Sequence, residues 1–153
     1  AIGASIWHLA THDEDRRRLL AEPTLMSTAV EELLRAYAPV SVGRITTEDV
    51  ELHGRCVHAG KRVILPFGAA NRDPEVFDDP EEVRIDRRRN RHLTFGTGAH
   101  RCLGSNLARL ELRIALEEWL AVMPHFRLTD PDGVEWSGGQ TRGPERVDVE
   151  VIA

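Results

Sequence analysis

Apolar and polar positions alternate along this chain with a spacing that changes several times, and each change marks an element. Ile2, Ile6 and Leu9 recur at helical spacing, so Ala1 to Leu9 reads as a helix already under way, with no capping residue in front. Asp13 to Ala21 predicts a second helix, acidic early and arginine-rich late, which suits the helix macrodipole. Pro23 separates it from an amphipathic helix over Thr24 to Tyr37, whose apolar face carries Val30, Leu33, Leu34 and Tyr37. Pro39 ends that helix, because the residue before a proline is pushed out of the helical region. Residues 40–66 read as short strands with turns at Gly54 and Gly60. Asn71-Arg72-Asp73-Pro74 and Asp78-Asp79-Pro80 mark an irregular stretch that runs on to a glycine-rich segment. Ser105 to Val122 predicts a long helix with two apolar stripes. Leu103, Leu107, Leu110 and Ile114 form one, Leu112, Leu116, Trp119 and Leu120 the other, and apolar residues on two sides predict deep burial. Short β signals close the chain at 126–129, 134–137 and 147–152, and there is no internal repeat or low-complexity segment.

The pattern as a whole predicts a mainly α fold with small β-sheets, of the α+β class. A length of 153 residues is enough for one hydrophobic core. The net charge of −5 argues against a nucleic-acid binder. No run of about 18 apolar residues is present, so no transmembrane helix is expected, and no signal peptide is visible. Two cysteines, Cys56 and Cys102, are too few for a disulfide scaffold. The chain opens on Ala1 rather than Met, inside a helical pattern, so it is expected to be the C-terminal piece of something longer.

The chemistry concentrates in Phe95-Gly96-Thr97-Gly98-Ala99-His100-Arg101-Cys102-Leu103-Gly104. Gly96, Gly98 and Gly104 lack a Cβ, so the backbone can approach a flat ligand and take positive φ. Cys102 sits at the start of the long helix, where free N–H groups and the macrodipole favour an anion. A thiol there readily becomes a thiolate, and a thiolate can bind a haem iron and push electron density onto it. The plainer alternative is a cysteine that only fills space.

This segment resembles the haem-ligand loop of the cytochrome P-450 family, the haem-thiolate monooxygenases, with Phe95, Gly98, His100, Cys102 and Gly104 at the five fixed positions of that family's pattern. The resemblance extends over residues 1–153, as the C-terminal portion of one P-450 domain of the bacterial soluble type. It implies haem b (iron protoporphyrin IX) as cofactor, with Cys102 as the axial ligand and metal-binding residue. Phe95, Gly96, Gly98, Gly104 and Ala108 would contact the macrocycle, and His100 and Arg44 would hold its propionates. Val40, Ser41, Val42 and Gly43, with Gly139 and Gln140 at a hairpin tip, would line the substrate pocket. Glu32-Leu33-Leu34-Arg35 is similar to the family's second signature. On spacing alone Glu32 and Arg35 form an ordinary exposed pair on the face opposite the apolar stripe. The resemblance instead joins them to an arginine of the irregular stretch, matched by Arg72. The family's distal acid-alcohol pair would lie just upstream of Ala1-Ile2-Gly3-Ala4, outside this chain, as would the N-terminal remainder of the domain.

The implied activity inserts one oxygen atom from O2 into a small lipophilic substrate, with electrons from a redox partner. Arg87, Arg88, Arg89, Arg91, Arg101, Arg109 and Arg113 cluster around the ligand loop. They read either as an ordinary solvated surface or, by the resemblance, as a basic proximal face that steers an acidic ferredoxin-type donor. A cysteine committed to iron is not available for pairing, so both thiols are expected reduced, in a cytoplasmic setting. No membrane and no nucleic acid are expected as partners. Two other readings stand beside the enzyme: a truncated, non-catalytic homologue that acts only by packing with another chain, and a haem-thiolate gas sensor, for which no signalling domain is present. His8, His12, His53, His58, His92 and His125 show no metal-ligand spacing with Cys56, and no role is assigned to them.

Overall fold

Three successive helices at the N-terminal end make one wall of the core in a computed structural model that describes residues 1–152. Helix α1 spans Ile2–Thr11 and α2 spans Asp13–Ala21, the latter with Asp13, Glu14 and Asp15 in its first turn. The segment expected as one helix over Thr24 to Tyr37 is split: Pro23–Leu25 forms a 3-10 turn, and α3 runs from Met26 to Ala36. Proline at the first turn suits that entry, since its missing N–H has no helical partner to lose.

The strand region resolves into antiparallel pairs. Strand β1 (Ser41–Ile45) pairs with β4 (Arg62–Pro66), with Val42 opposite Leu65 and Arg44 opposite Val63. Between them, β2 (Val50–Leu52) and β3 (Arg55–Val57) form a hairpin closed by His53 (φ 47°) and Gly54 (φ 71°). Two consecutive positive φ values are what a type I′ turn needs, and its twist matches that of the flanking strands. A short helix α4 (Phe67–Ala70) leads into the irregular stretch, and α5 spans Ser105–Val122, as the periodicity predicts. The chain ends with β5 (Phe126–Leu128) on β8 (Val149–Val151) and β6 (Trp136–Ser137) on β7 (Gly143–Pro144).

The core lies where α1, α3, α5 and β5 meet, and it is built from Leu9, Leu33, Leu112, Leu116 and Phe126, with Leu19 of α2 and Ile85 of the irregular stretch. Arg16 is buried beneath it, donating to the Leu9 carbonyl at 2.6 Å with its guanidinium 5.0 Å from the Phe126 ring centre. Both cysteines are free. Among the described residues no helix is long and apolar enough to cross a membrane.

Two expectations about burial fail, in opposite directions. Helix α5 is buried on one stripe only: Leu112, Leu116 and Leu120 face the core, whereas Leu103 is fully exposed and Leu107, Leu110 and Ile114 stand largely in solvent. One helix face can pack against α1 and α3, and nothing among the described residues covers the other. Conversely, Glu32 and Arg35 are completely buried rather than exposed. Helix α3 has core packing on one side and the irregular stretch on the other, so tertiary packing overrides its amphipathic pattern.

This asymmetry sets an expected outcome. Leu116→Ala, at a fully buried position, should cost about 2–5 kcal/mol of stability. Ile114→Ala, on the bare face, should stay within about 0.5 kcal/mol. Chemical denaturation of the two variants checks the difference.

Candidate active site

The Cys102 loop is held in shape mostly by backbone. The Gly96 N–H donates to the Leu93 carbonyl at 2.7 Å and the Cys102 N–H to the Phe95 carbonyl at 2.8 Å, which closes residues 95–102 into a compact loop. Gly96 (φ 67°) and Gly98 (φ 64°) take the left-handed conformation that the loop requires. Residues Gly98–His100 form a 3-10 turn, and α5 begins three residues after the cysteine with Gly104 as its N-cap. A Cβ on Gly104 would lie 3.9 Å from Cys102 Sγ, so the glycine keeps that flank of the sulfur open. The N–H of Ser105 turns to the Cys102 carbonyl at 3.3 Å and that of Cys102 to Phe95, rather than to the sulfur.

Side chains of the preceding segment anchor this loop to α3. Asn71, completely buried, donates from Nδ2 to the Arg35 carbonyl (3.1 Å) and to Thr94 Oγ1 (2.9 Å), and its Oδ1 accepts the Leu93 N–H at 2.7 Å. Thr94 in turn donates to the Leu34 carbonyl at 2.7 Å. The sequence shows Asn71 only as a turn residue, and its clamp role has no local signature. On the other side of the loop, the Arg109 guanidinium lies 4.6 Å from the Phe95 ring centre and makes a two-pronged contact with Glu31 (2.6 and 3.0 Å). His92 Nε2 lies 3.1 Å from the same carboxylate. Burial alone would raise the Glu31 carboxyl, but the hydrogen bonds and charges of His92 and Arg109 outweigh it and hold it at about 2.

Beneath the loop lies the buried Glu32 carboxylate. Arg35 meets it with Nε to Oε2 (2.9 Å) and Nη2 to Oε1 (2.8 Å), a bidentate pair. The second guanidinium is that of Arg87, whose Nε lies 3.1 Å from both oxygens. The Arg84 N–H and Asn90 Nδ2 each add a bond at 2.9 Å. Burial pushes the Glu32 carboxyl up, but these donors, led by Arg35, bring it below its ordinary value. Arg35 also donates to the carbonyls of Asn71, Pro80 and Glu82 at 2.7–2.8 Å.

The structure therefore corrects the arginine assigned to this network: Arg72 does not reach Glu32. It follows α4 directly and folds back onto the end of α3, donating to the Ala36 carbonyl at 2.7 Å and pairing with Glu81 at 3.2 Å. The turn after Asp78 carries Arg87 across α3 instead. This also removes Arg87 from the expected basic surface. Arg109 is committed to Glu31 and the exposed Arg113 to Glu117 (2.7 Å), which leaves Arg88, Arg89, Arg91 and Arg101 exposed with no ion pair among the described residues.

Above the loop opens a cleft of about 460 Å³. Its wall is largely apolar, formed by Leu34, Pro39, Val40, Val42, Leu65, Phe67, Phe95 and Ala108. Arg44, His100 and Cys102 also face it, together with Thr94 and Thr97. The fold thus brings together Val40, Val42, Arg44, Phe95, Gly96, His100, Cys102 and Ala108 from three separate segments. Gly98 and Gly104 shape the loop without lining the cleft. Ser41 and Gly43 fall on the alternate side of β1, because successive strand residues point to opposite faces. Gly139 and Gln140 do not line it either. The Gln140 carbonyl accepts the Ser41 N–H at 2.9 Å, which lays the hairpin tip beside β1 rather than over the cleft. Leu65 and Phe67 were not singled out by the sequence. The signal for Leu65 was the antiparallel register opposite Val42, which no single-strand pattern contains.

This donor set fits haem. A thiol and two cationic or hydrogen-bonding side chains share one apolar cleft, as a flat apolar macrocycle with two carboxylates requires. A Cβ on Gly96 would meet the Phe67 ring and the His100 carbonyl at 3.7 Å, an ordinary contact, so it is the left-handed φ of 67° that calls for glycine there.

Comparison with known proteins agrees with the geometry. The family model described as "Cytochrome P450" matches residues 8–137. The mycinamicin IV hydroxylase/epoxidase of Micromonospora griseorubida is 46% identical over 145 residues, covering 91% of this chain and 36% of that protein. Among solved structures, the cytochrome P450 PksS of the Bacillus subtilis 168 bacillaene polyketide synthase superposes with a TM-score of 0.93 at 38% identity, over 98% of this chain and 40% of that one. P450BioI in complex with a hexadec-9Z-enoic acid-ligated acyl carrier protein gives 0.90 at 40% identity, over 99% and 40%. The chain thus spans well under half the length of the relatives it matches.

Two outcomes follow for the side chains beneath the loop. Removing one partner of the buried network, as in Arg87→Ala, should cost about 3–5 kcal/mol, and Arg72→Ala should cost less, a difference that unfolding midpoints measure. The depressed Glu31 carboxyl contributes stability that is full above the unfolded value of about 4.3 and is lost as pH falls through about 2. Glu31→Gln should therefore flatten the acid limb of a stability-versus-pH curve in that window.

Proposed function

The chain belongs to the cytochrome P450 family, and from that premise we propose that it is the haem-binding proximal portion of a haem-thiolate monooxygenase. The reading rests on one observation: the Cys102 thiol, Arg44 and His100 converge on a single apolar cleft. Haem b, when bound, supplies the dioxygen binding and electron transfer of this family. Cys102 ligates its iron as a thiolate. Arg44, whose guanidinium forms no ion pair among the described residues, and His100 hold the propionates.

Phe95, Gly96 and Ala108 pack against the macrocycle, with Gly98 and Gly104 keeping the loop backbone close to it. The Glu32–Arg35–Arg87 cluster and Asn71 act as positioning groups that fix the loop from below, and Arg72 steadies the end of α3. Val40 and Val42 present an apolar, water-excluding edge to the substrate. Ser41, Gly43, Gly139 and Gln140 border that edge from the β1–hairpin side. A small lipophilic substrate suits such a surface, and the oxygen atom inserted into it derives from O2. The exposed Arg88, Arg89, Arg91 and Arg101 form a reduced basic face for an acidic ferredoxin-type electron donor. Two free thiols accord with a reducing, cytoplasmic setting.

The test is spectroscopic. In the haem-loaded protein, Cys102→Ser should abolish the red-shifted Soret band that the reduced carbon monoxide complex owes to an axial thiolate. Survival of that band in the variant overturns the proposal.

A further inference from the structure

The β2–β3 hairpin carries a second set of ligand atoms, remote in sequence from the Cys102 loop. Its register pairs Glu51 with Cys56 and Val50 with Val57. Extending the ladder by one residue sets Asp49 opposite His58. Because strand side chains alternate, Asp49, Glu51, Cys56 and His58 all fall on one face of the ribbon. His58 Nδ1 lies 3.0 Å from Asp49 Oδ2 and 3.7 Å from Cys56 Sγ, and one donor atom from each of the three residues lies within 4.8 Å of the others.

These separations match a known coordination geometry. Zinc–sulfur and zinc–nitrogen bonds of about 2.3 and 2.0 Å at a tetrahedral angle put the two ligand atoms about 3.5 Å apart. A nitrogen and a carboxylate oxygen on the same ion lie about 3.3 Å apart by the same construction. The hairpin holds its sulfur–nitrogen and nitrogen–oxygen pairs within a few tenths of an ångström of those values, and its sulfur and carboxylate oxygen within 4.8 Å of each other. The frame is stiff for its size. The His53-Gly54 turn fixes the register, and the Ala59 N–H donates to Asp49 Oδ1 at 2.8 Å, which leaves Oδ2 directed at His58. The hydrogen bond from His58, together with the Ala59 N–H, holds the Asp49 carboxyl below its usual value. All three ligand residues are exposed, so an ion has an open path.

We propose that Asp49, Cys56 and His58 form a surface site for a borderline-soft divalent cation of the zinc type. A mixed sulfur, nitrogen and oxygen set selects such an ion over magnesium or calcium, which take oxygen ligands. Cys56 binds as the thiolate, releasing its proton to solvent as the metal–sulfur bond forms, and the neutral imidazole of His58 binds through Nδ1. Three protein ligands leave the fourth position to water. A lone exposed thiol would need no such company. An Asp49–His58 hydrogen bond that served only to tie the hairpin would need no cysteine beside it.

Isothermal titration of the purified haem-loaded protein with zinc chloride tests the site, read together with zinc-edge X-ray absorption. The expected result is one zinc per chain with a single sulfur in its shell. That isotherm should be lost in Cys56→Ser, weakened in His58→Gln and Asp49→Asn, and retained in Cys102→Ser. Unchanged far-ultraviolet circular dichroism in the hairpin variants would exclude a folding defect. Absence of zinc uptake by the parent protein overturns the proposal. So does an isotherm that survives Cys56→Ser, or one that disappears with Cys102→Ser. None of these readouts depends on monooxygenase activity.

Discussion

A carboxylate taken out of water must be surrounded, and the surroundings of Glu32 organise much of this structure. Six hydrogen bonds converge on its two oxygens from Arg35, Arg87, Arg84 and Asn90. Three of those partners lie more than fifty residues away in the chain. The segment between α4 and α5 contains little regular secondary structure to hold it. Its path over α3 is set instead by charge that has no other place to go. Arg35 extends the effect by donating to three carbonyls of the same segment. Such a cluster adds little net stability against an apolar replacement of similar shape, but it penalises every arrangement that leaves one member unpaired. That penalty supplies order where helices and sheets do not.

The cleft then depends on what this order delivers. Cys102 is brought to its place by a backbone loop with two left-handed glycines, Arg44 by the alternation of β1, and Phe67 by the short helix after β4. Each is local in origin, and none alone defines a binding site. Their convergence comes from the β1–β4 pairing and from the attachment of the loop to α3. The apolar wall with polar groups at its margin is therefore a product of tertiary structure, although each contributing segment carries its own recognisable pattern.

What could be read in advance follows the same division. The boundaries of α2 and α5, the turns at Gly54 and Gly60, the irregular stretch and the cysteine loop all depend on neighbours within a few residues, and the sequence displays them. Arg87 was misread as surface because seven arginines near one loop look alike in one dimension. Only the path of the Asp78–Glu82 turn distinguishes the one that goes inward. The bare stripe of α5 was misread for the converse reason, since periodicity records which residues are apolar but not whether a neighbour is present to cover them. Within the Asp49, Cys56 and His58 cluster, a cysteine and a histidine two residues apart make no ligand set by themselves, and Asp49 joins them only through the register of the strand pair.

Asn71 has a consequence of a different kind. Its side chain fastens the start of the cysteine loop to the end of α3 through one acceptor and two donor contacts, and a carboxamide carries no ionisable proton. Acid that protonates Glu31 or Glu32 loosens the charged supports on either side, but it leaves this fastening chemically unaltered. The seat of the sulfur thus keeps one neutral attachment to α3 when the carboxylates around it are protonated, although Arg35, which pairs with Glu32 and also holds the Asn71 carbonyl, still ties that attachment to the charged cluster.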